Sequence, residues 1–170
     1  MIPFIQKGKE KNMKENYRIE TLLEIQDYLD KLKFSLENGA TITFQRYRKI
    51  DEKKDEKYTN AYTIDKLFPN EEASTALKRE LKKLTVQNYI KTVRDLKFPN
   101  RSEMREFGKV YEGEDVYIKI RVELLDSFGQ SSTFVMSFHF AEKPFDKEIF
   151  PYKIVGEDEK NENNESDRSK

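Results

Sequence analysis

Two short stretches carry residues able to move protons and hold phosphate. Tyr117, Lys119 and Arg121 occupy alternate positions among Val116, Ile118, Ile120 and Val122, and Val135, Ser137 and His139 alternate with Phe134, Met136, Phe138 and Phe140. In an extended chain successive side chains point to opposite faces, so each stretch presents one apolar face and one chemical face. If the two stretches pair antiparallel, opposed or diagonal residues lie about 4.5–8 Å apart, which brings Tyr117, Lys119 and His139 into one neighbourhood. That set suits RNA cleavage without a metal. Such a reaction needs a base for the 2′-hydroxyl proton, cations for the charge growing on the phosphate, and an acid for the leaving oxygen. Imidazole titrates near working pH, at about 6.5 when unperturbed. Lys and Arg answer the developing charge, and Tyr donates a hydrogen bond or a proton. A plainer alternative stays open: a lone strand histidine can serve packing, and lysine is a usual guard of sheet edges.

Composition removes most competing chemistries. There is no Cys and one His in 170 residues, so no thiol chemistry, disulfide frame, zinc finger or histidine pair is expected. No H-E-x-x-H, Walker, G-x-G-x-x-G or G-x-S-x-G pattern occurs. No cofactor is implied. No run approaches the roughly 18 apolar residues of a membrane helix, and Met1-Ile2-Pro3-Phe4-Ile5 is too short for a signal-peptide core; a cytoplasmic protein without membrane contact is the expectation. Charged residues reach 38 %, well above the roughly 25 % of ordinary domains, yet 12 Phe and 9 Tyr are enough for a small aromatic core. The net charge is zero, but Glu157 to Lys170 holds six acids and three bases, which leaves a mildly basic body of 29 bases against 26 acids.

The elements that must position the chemical residues are legible in outline. Residues 1–18 read as a loose arm and 156–170 as a disordered acidic tail. Thr21 and Glu24 form a capping box, and Leu22, Ile25, Leu29, Leu32 and Leu36 recur at helical spacing up to Asn38-Gly39. Thr41 to Lys49 reads as a strand and Asp51 to Lys57 as an exposed charged loop. Glu71 and Glu72 open a second helix with Ala73, Leu77, Leu81 and Leu84 on its stripe, and Thr85 can cap a short third helix over Val86 to Val93. Glu106 to Tyr111 is a short strand. The stretches around Tyr117 and His139 form a hairpin through a turn with Asp126, Ser127, Gly129 and Ser131. Lys143 to Tyr152 is expected to pack irregularly across an edge. The sum is an α+β fold, a small antiparallel sheet with helices on one face.

Three blocks of this chain resemble the MqsR family of bacterial toxins, ribonucleases of RelE-like fold: Leu84-Thr85-Val86-Gln87-Asn88-Tyr89-Ile90-Lys91; Phe107-Gly108-Lys109 through Val116-Tyr117-Ile118-Lys119-Ile120; and Met136-Ser137-Phe138-His139. The resemblance runs from about Ala40 to Tyr152. It implies a RelE-like domain over 40–155 with an additional N-terminal helix over 19–39. It also implies that Lys91, Tyr117 and His139 stand at positions linked to RNA cleavage. Lys91, on a helix, would bind or polarise the phosphate. Tyr117 would orient substrate or donate a proton, and His139 would act as base or acid. Lys119 matches a lysine that binds RNA. Lys109, Arg121, Arg46 and Arg48 are further candidates for phosphate contact. Gly108 departs from the pattern, standing where some members place a glutamine. The implied partners are an mRNA substrate and a cognate antitoxin protein. Two other readings compete: a non-catalytic RelE-like or nucleic-acid-binding module, and a structural or host-interaction protein built around the first helix.

Overall fold

The computed structural model describes residues 16–124 and 131–153. The expected tail over 156–170, most of the arm and the turn around Asp126, Ser127 and Gly129 lie outside these residues. Helix α1 (Leu22–Glu37) starts after Thr21 as expected, but only one half of the capping box forms: the Glu24 carboxylate takes the Thr21 hydroxyl and not its backbone N–H. Thr21 Oγ1 accepts the Glu24 N–H at 3.2 Å and donates to Glu24 Oε1 at 3.1 Å. Ile25, Leu29, Leu32 and Leu36 are buried as their spacing predicts, while Leu22, the first residue of the expected stripe, is exposed. The helix ends at Gly39, whose φ of +88° favours glycine.

Six strands follow: β1 (Tyr17–Arg18), β2 (Thr41–Phe44), β3 (Tyr89–Val93), β4 (Met104–Tyr111), β5 (Glu114–Leu124) and β6 (Ser131–Phe140). They form one sheet in the order β1-β3-β4-β5-β6-β2. Every pairing is antiparallel except β2 with β6. Tyr89, Phe107, Val116, Ile118, Ile120, Val135, Phe138 and Phe140 share one core with the α1 stripe. That core also takes Ile64 of α2 (Asn60–Leu67) and Leu77 and Leu81 of α3 (Ala73–Leu81). The fold is α+β, with its helical side chains gathered on one sheet face, and α1 supplies four residues to that shared core.

Several local expectations are corrected. The capping box of Thr85 and Asn88 closes only a single 3-10 turn over Val86–Asn88. The next residues form β3, so Lys91 sits on a strand and not on a helix. Tyr89, Ile90, Thr92 and Val93 are aromatic or β-branched, and β1 and β4 on either side take their backbone groups. Tyr17 and Arg18 therefore leave the expected loose arm to become an edge strand. The strand expected over Thr41 to Lys49 stops at Phe44, after Thr41 to Phe44 have paired with Ser132 to Val135. The chain then turns through 3-10 segments at Lys49–Lys53 and Glu56–Tyr58, where an exposed loop was expected.

Helix α2 was not anticipated, and its first residue explains why it forms. Asn60 is fully buried. Its amide donates to Gln45 O at 2.8 Å and Met136 O at 2.9 Å, and its carbonyl accepts the Phe138 N–H at 3.0 Å. Thr63 Oγ1 accepts the Phe140 N–H at 3.0 Å. These side chains stand in for a neighbouring strand along the part of β6 beyond β2. A second buried cluster ties down β1: Glu20 accepts two bonds from the Arg105 guanidinium, both at 3.0 Å, and one from Thr92 at 2.7 Å. Among the described residues no helix is long and apolar enough to cross a membrane.

Replacing Asn60 with Ala removes three bonds and leaves buried backbone groups unpaired, an expected loss of about 2–4 kcal/mol. Urea unfolding of Asn60→Ala checks this, and a midpoint equal to that of the wild type refutes it.

Candidate functional site

The open face of the sheet, opposite the helices, is set by pairing register. Lys91 on β3 faces Glu106 on β4, Glu106 faces Lys119 on β5, and Lys119 faces Ser137 on β6. The adjacent row runs Gly108, Tyr117, His139 across β4, β5 and β6. A bulge between Tyr89 and Lys91 lets Tyr89 enter the core while Lys91 meets this face. Arg48 extends the first row, donating from Nη1 to Ser137 Oγ at 3.3 Å. The result is a two-row field in which cations flank a carboxylate, with a phenol and an imidazole beside it.

Glu106 is the centre of this field. Only 7 % of it is exposed. Its Oε1 accepts the Tyr117 hydroxyl. Its Oε2 is buried without a hydrogen-bond partner, with Lys91 Nζ 3.8 Å away, a separation that is an ion pair but too long for a hydrogen bond. Burial pushes the Glu106 carboxyl above the ordinary carboxylate range, and the nearby Lys91 and Lys119 ammonium groups only partly oppose it. Lys91 Nζ also lies 4.7 Å from the centroid of the Tyr17 ring, held there by the β1–β3 pairing.

Tyr117 and His139 are directly opposed, their ring centroids 5.4 Å apart. His139 Nδ1 lies 3.0 Å from Phe140 O. A carbonyl only accepts, so in this bond Nδ1 carries the proton and Nε2 keeps its lone pair. Burial lowers the His139 pKa. The Phe140 carbonyl opposes that shift, Lys54 and Arg48 reinforce it, and Asp51 opposes it. The ring is therefore neutral at neutral pH.

A cavity of about 500 Å³ opens over Lys91, Glu106 and Tyr117, walled by Tyr17, Phe145 and Ile149. Its outer wall is the segment after β6, which lays Phe145 and Phe150 over Gly108 and winds a 3-10 turn at Lys147–Ile149 where irregular packing is expected for Lys143 to Tyr152. Gly108 makes that placement possible: a Cβ there would stand 2.7 Å from Phe145 Cε2 and 2.8 Å from Phe150 Cζ. No side chain, glutamine included, fits at this position without displacing the Phe145 and Phe150 rings.

The expected site residues divide clearly. Lys91, Tyr117, Lys119 and His139 come together, and Arg48 reaches the same face. Arg121 shares the face but is 3 % exposed, with Nε 2.8 Å from Glu123 and its guanidinium 5.0 Å from the Phe134 ring centroid. Arg46 pairs with Asp65 of α2. Lys109 stands on the helix side, near Glu80 and Lys83 and 5.6 Å from the Tyr111 ring centroid; the strand alternation that presents Glu106 and Gly108 to the open face turns Lys109 away. Glu106 was missed. Its signal was parity: it lies two residues before Gly108 on the same strand, hence on the same face. Among the described residues no three His, Cys, Asp or Glu side chains converge as a metal-ligand set. No family model, curated protein or solved structure matches this chain.

Because folding raises the Glu106 pKa, the native state holds this proton more tightly than the unfolded chain. Its contribution to stability is greatest at low pH and falls as pH rises from the usual carboxylate range through the raised value. Glu106→Gln is expected to melt above the wild type at pH 7.5, with the gap closing towards pH 4.5. Calorimetry at the two pH values checks this; a variant that melts below the wild type at pH 7.5 refutes it.

Proposed function

We propose that this protein is an endoribonuclease that cleaves mRNA by transesterification to a 2′,3′-cyclic phosphate, using side chains alone. The observation that carries the reading is the Lys91–Glu106–Lys119 row beside Tyr117: Lys91, Glu106 and Tyr117 bring a cation, a base and a proton donor to one cavity, and Lys119 stands opposite Glu106 on the next strand. Glu106, with its raised pKa and unpartnered Oε2, takes the 2′-hydroxyl proton as the 2′-oxygen attacks phosphorus. Lys91 and Lys119 stabilise the charge that grows on the phosphoryl oxygens. Tyr117 gives its hydroxyl proton to the departing 5′-oxygen. Protonated Glu106 then turns its carboxyl proton towards the phenolate and returns it to Tyr117. The net change is one proton moved from the 2′-oxygen to the 5′-oxygen, with one P–O bond formed and one broken. His139, neutral and packed on Tyr117, orients the phenol.

The resemblance to MqsR-like toxins extends this proposal. The chain would be the toxin of a type II toxin–antitoxin pair with a RelE-like fold, held in check by a cognate antitoxin. The two readings differ in what expression does to cells, since a binding module with an idle site leaves growth unchanged.

The test is cleavage of a labelled RNA in the presence of EDTA, alongside the same oligonucleotide lacking the 2′-hydroxyl at the cut. Wild type is expected to yield a cyclic phosphate from the first and nothing from the second. Glu106→Gln, Lys91→Ala and Tyr117→Phe are each expected to lower kcat by about 10²–10⁴, with a smaller loss for His139→Ala. The acid limb of kcat/KM falls above the usual carboxylate range and vanishes in Glu106→Gln. RNA left intact by pure wild type, together with normal growth on expression, rejects the proposal.

A further inference from the structure

A second cleft lies across Phe145 from the first, and its construction differs. Pairing of β3 with β4 ends at Tyr89 and Phe107, while β4 runs on to Tyr111, so among the described residues no strand lies on that side of β4 from Gly108 onwards. The chain before β3 turns away there through Val86–Asn88. The notch left behind is a cleft of about 330 Å³, lined by Asn88, Lys109, Lys147, Lys153, Phe145 and Phe150 among others. That volume falls within the roughly 300–1,000 Å³ of small-ligand pockets.

We infer that this cleft seats the nucleotide next to the scissile phosphate, with the three lysines on its phosphate and the Phe145–Phe150 wall against its base. The assignment rests on the ribonuclease reading and adds a substrate subsite to it. Charge is the first support. Three lysines line the cleft with one carboxylate residue, Asp115, whose Oδ2 already accepts the Phe145 N–H at 2.8 Å. From the helix side Glu80 and Lys83 face Lys109, and Glu80 is itself held by Arg79 at 2.8 Å and Lys83 at 3.0 Å. Burial lowers the Lys109 pKa, so an anion in the cleft would offset a cost the free protein carries.

Continuity is the second support. Phe145 lines both cavities, so a strand held at Lys91 and Glu106 passes its edge to reach Lys109. At the crossing point stands Gly108, whose missing Cβ leaves room for both phenylalanine rings. Those rings pack edge to face, 5.7 Å between centroids, and give a fixed aromatic wall of the kind on which any base can stack. Lys109, placed on the wrong face for the catalytic row, is on the right edge for this one.

The experiment measures binding of fluorescent 2′-deoxy oligonucleotides, which cannot be cut, to the full chain. Wild type is expected to bind a tetranucleotide at least about fivefold more tightly than a dinucleotide. Lys147→Gln/Lys153→Gln is expected to lose that gain and to flatten the salt dependence of tetranucleotide binding by about 1.4 in log–log slope, two single-strand phosphate contacts. Lys109→Gln reports the third contact, and melting curves show whether each variant is folded. An equal length-dependent gain in folded variants overturns the inference even where RNA is cleaved. Displacement of the tetranucleotide by inorganic phosphate as effectively as by a nucleotide also overturns it, marking a general anion site. A lysine-dependent gain on a protein that leaves RNA uncut upholds the subsite and rejects the ribonuclease reading alone.

Discussion

A strand that slips by one residue sends every side chain to the opposite face, and this constraint governs the whole molecule. If β4 moved by one position relative to β5, Phe107 would leave the core and Glu106 would enter it. Burial of a phenylalanine side chain is worth roughly 1.5–3 kcal/mol, and a carboxylate forced among Ile118, Phe138 and Tyr89 would cost more than that. The same alternation repeats on β5 and β6, where Ile118 and Phe138 are fully buried and Tyr117 and His139 point the other way. The aromatic core therefore locks the register, and the register in turn aligns Lys91, Glu106 and Lys119 across three strands. The open face inherits its geometry from the buried one.

Two buried carboxylates show how one fold treats similar groups differently. Glu20 and Glu106 are 4 % and 7 % exposed. At Glu20 burial raises the pKa, but the Arg105 guanidinium, the Thr92 hydroxyl and Arg18 outweigh it, and the carboxyl lies below its ordinary range. At Glu106 the partners are a phenol and two lysines, none of which hydrogen-bonds Oε2, and burial prevails. The first group is satisfied and joins β1, β3 and β4. The second is left with unused basicity facing a cavity. A carboxyl of this second kind costs the fold stability at neutral pH that the satisfied one does not.

Periodic segments were legible in the amino-acid order. The α1 stripe from Ile25 to Leu36, the two faces of β5 and those of β6 from Ser137 to Phe140 follow from spacing, because a helix or a strand with one buried face must repeat at its own period; before that, a bulge at Met136 exchanges the faces, so Val135 enters the core and Phe134 lies against Arg121, the reverse of what alternation predicts. Lys119 and His139 were placed beside Tyr117 for the same reason. Short segments were harder to read. Thr85 and Asn88 make a genuine cap, yet one 3-10 turn satisfies it, and nothing local prevents Tyr89 from continuing as a strand. Helix α2 is only eight residues long, and two of the three residues it buries are polar: beside Ile64, which joins the core, Asn60 and Thr63 bond a strand more than seventy residues away.

The sequence alone determined which residues share a face within each periodic element, since alternation is a property of the local chain. Only the tertiary structure decided which faces meet. It set Lys91 against Glu106 by inserting β3 between β1 and β4. It also turned Lys109 to the far side and drew Phe145 and Phe150 over Gly108. Those outcomes depend on competition among distant segments for the same backbone hydrogen bonds and the same buried volume, and no local pattern records the result of that competition.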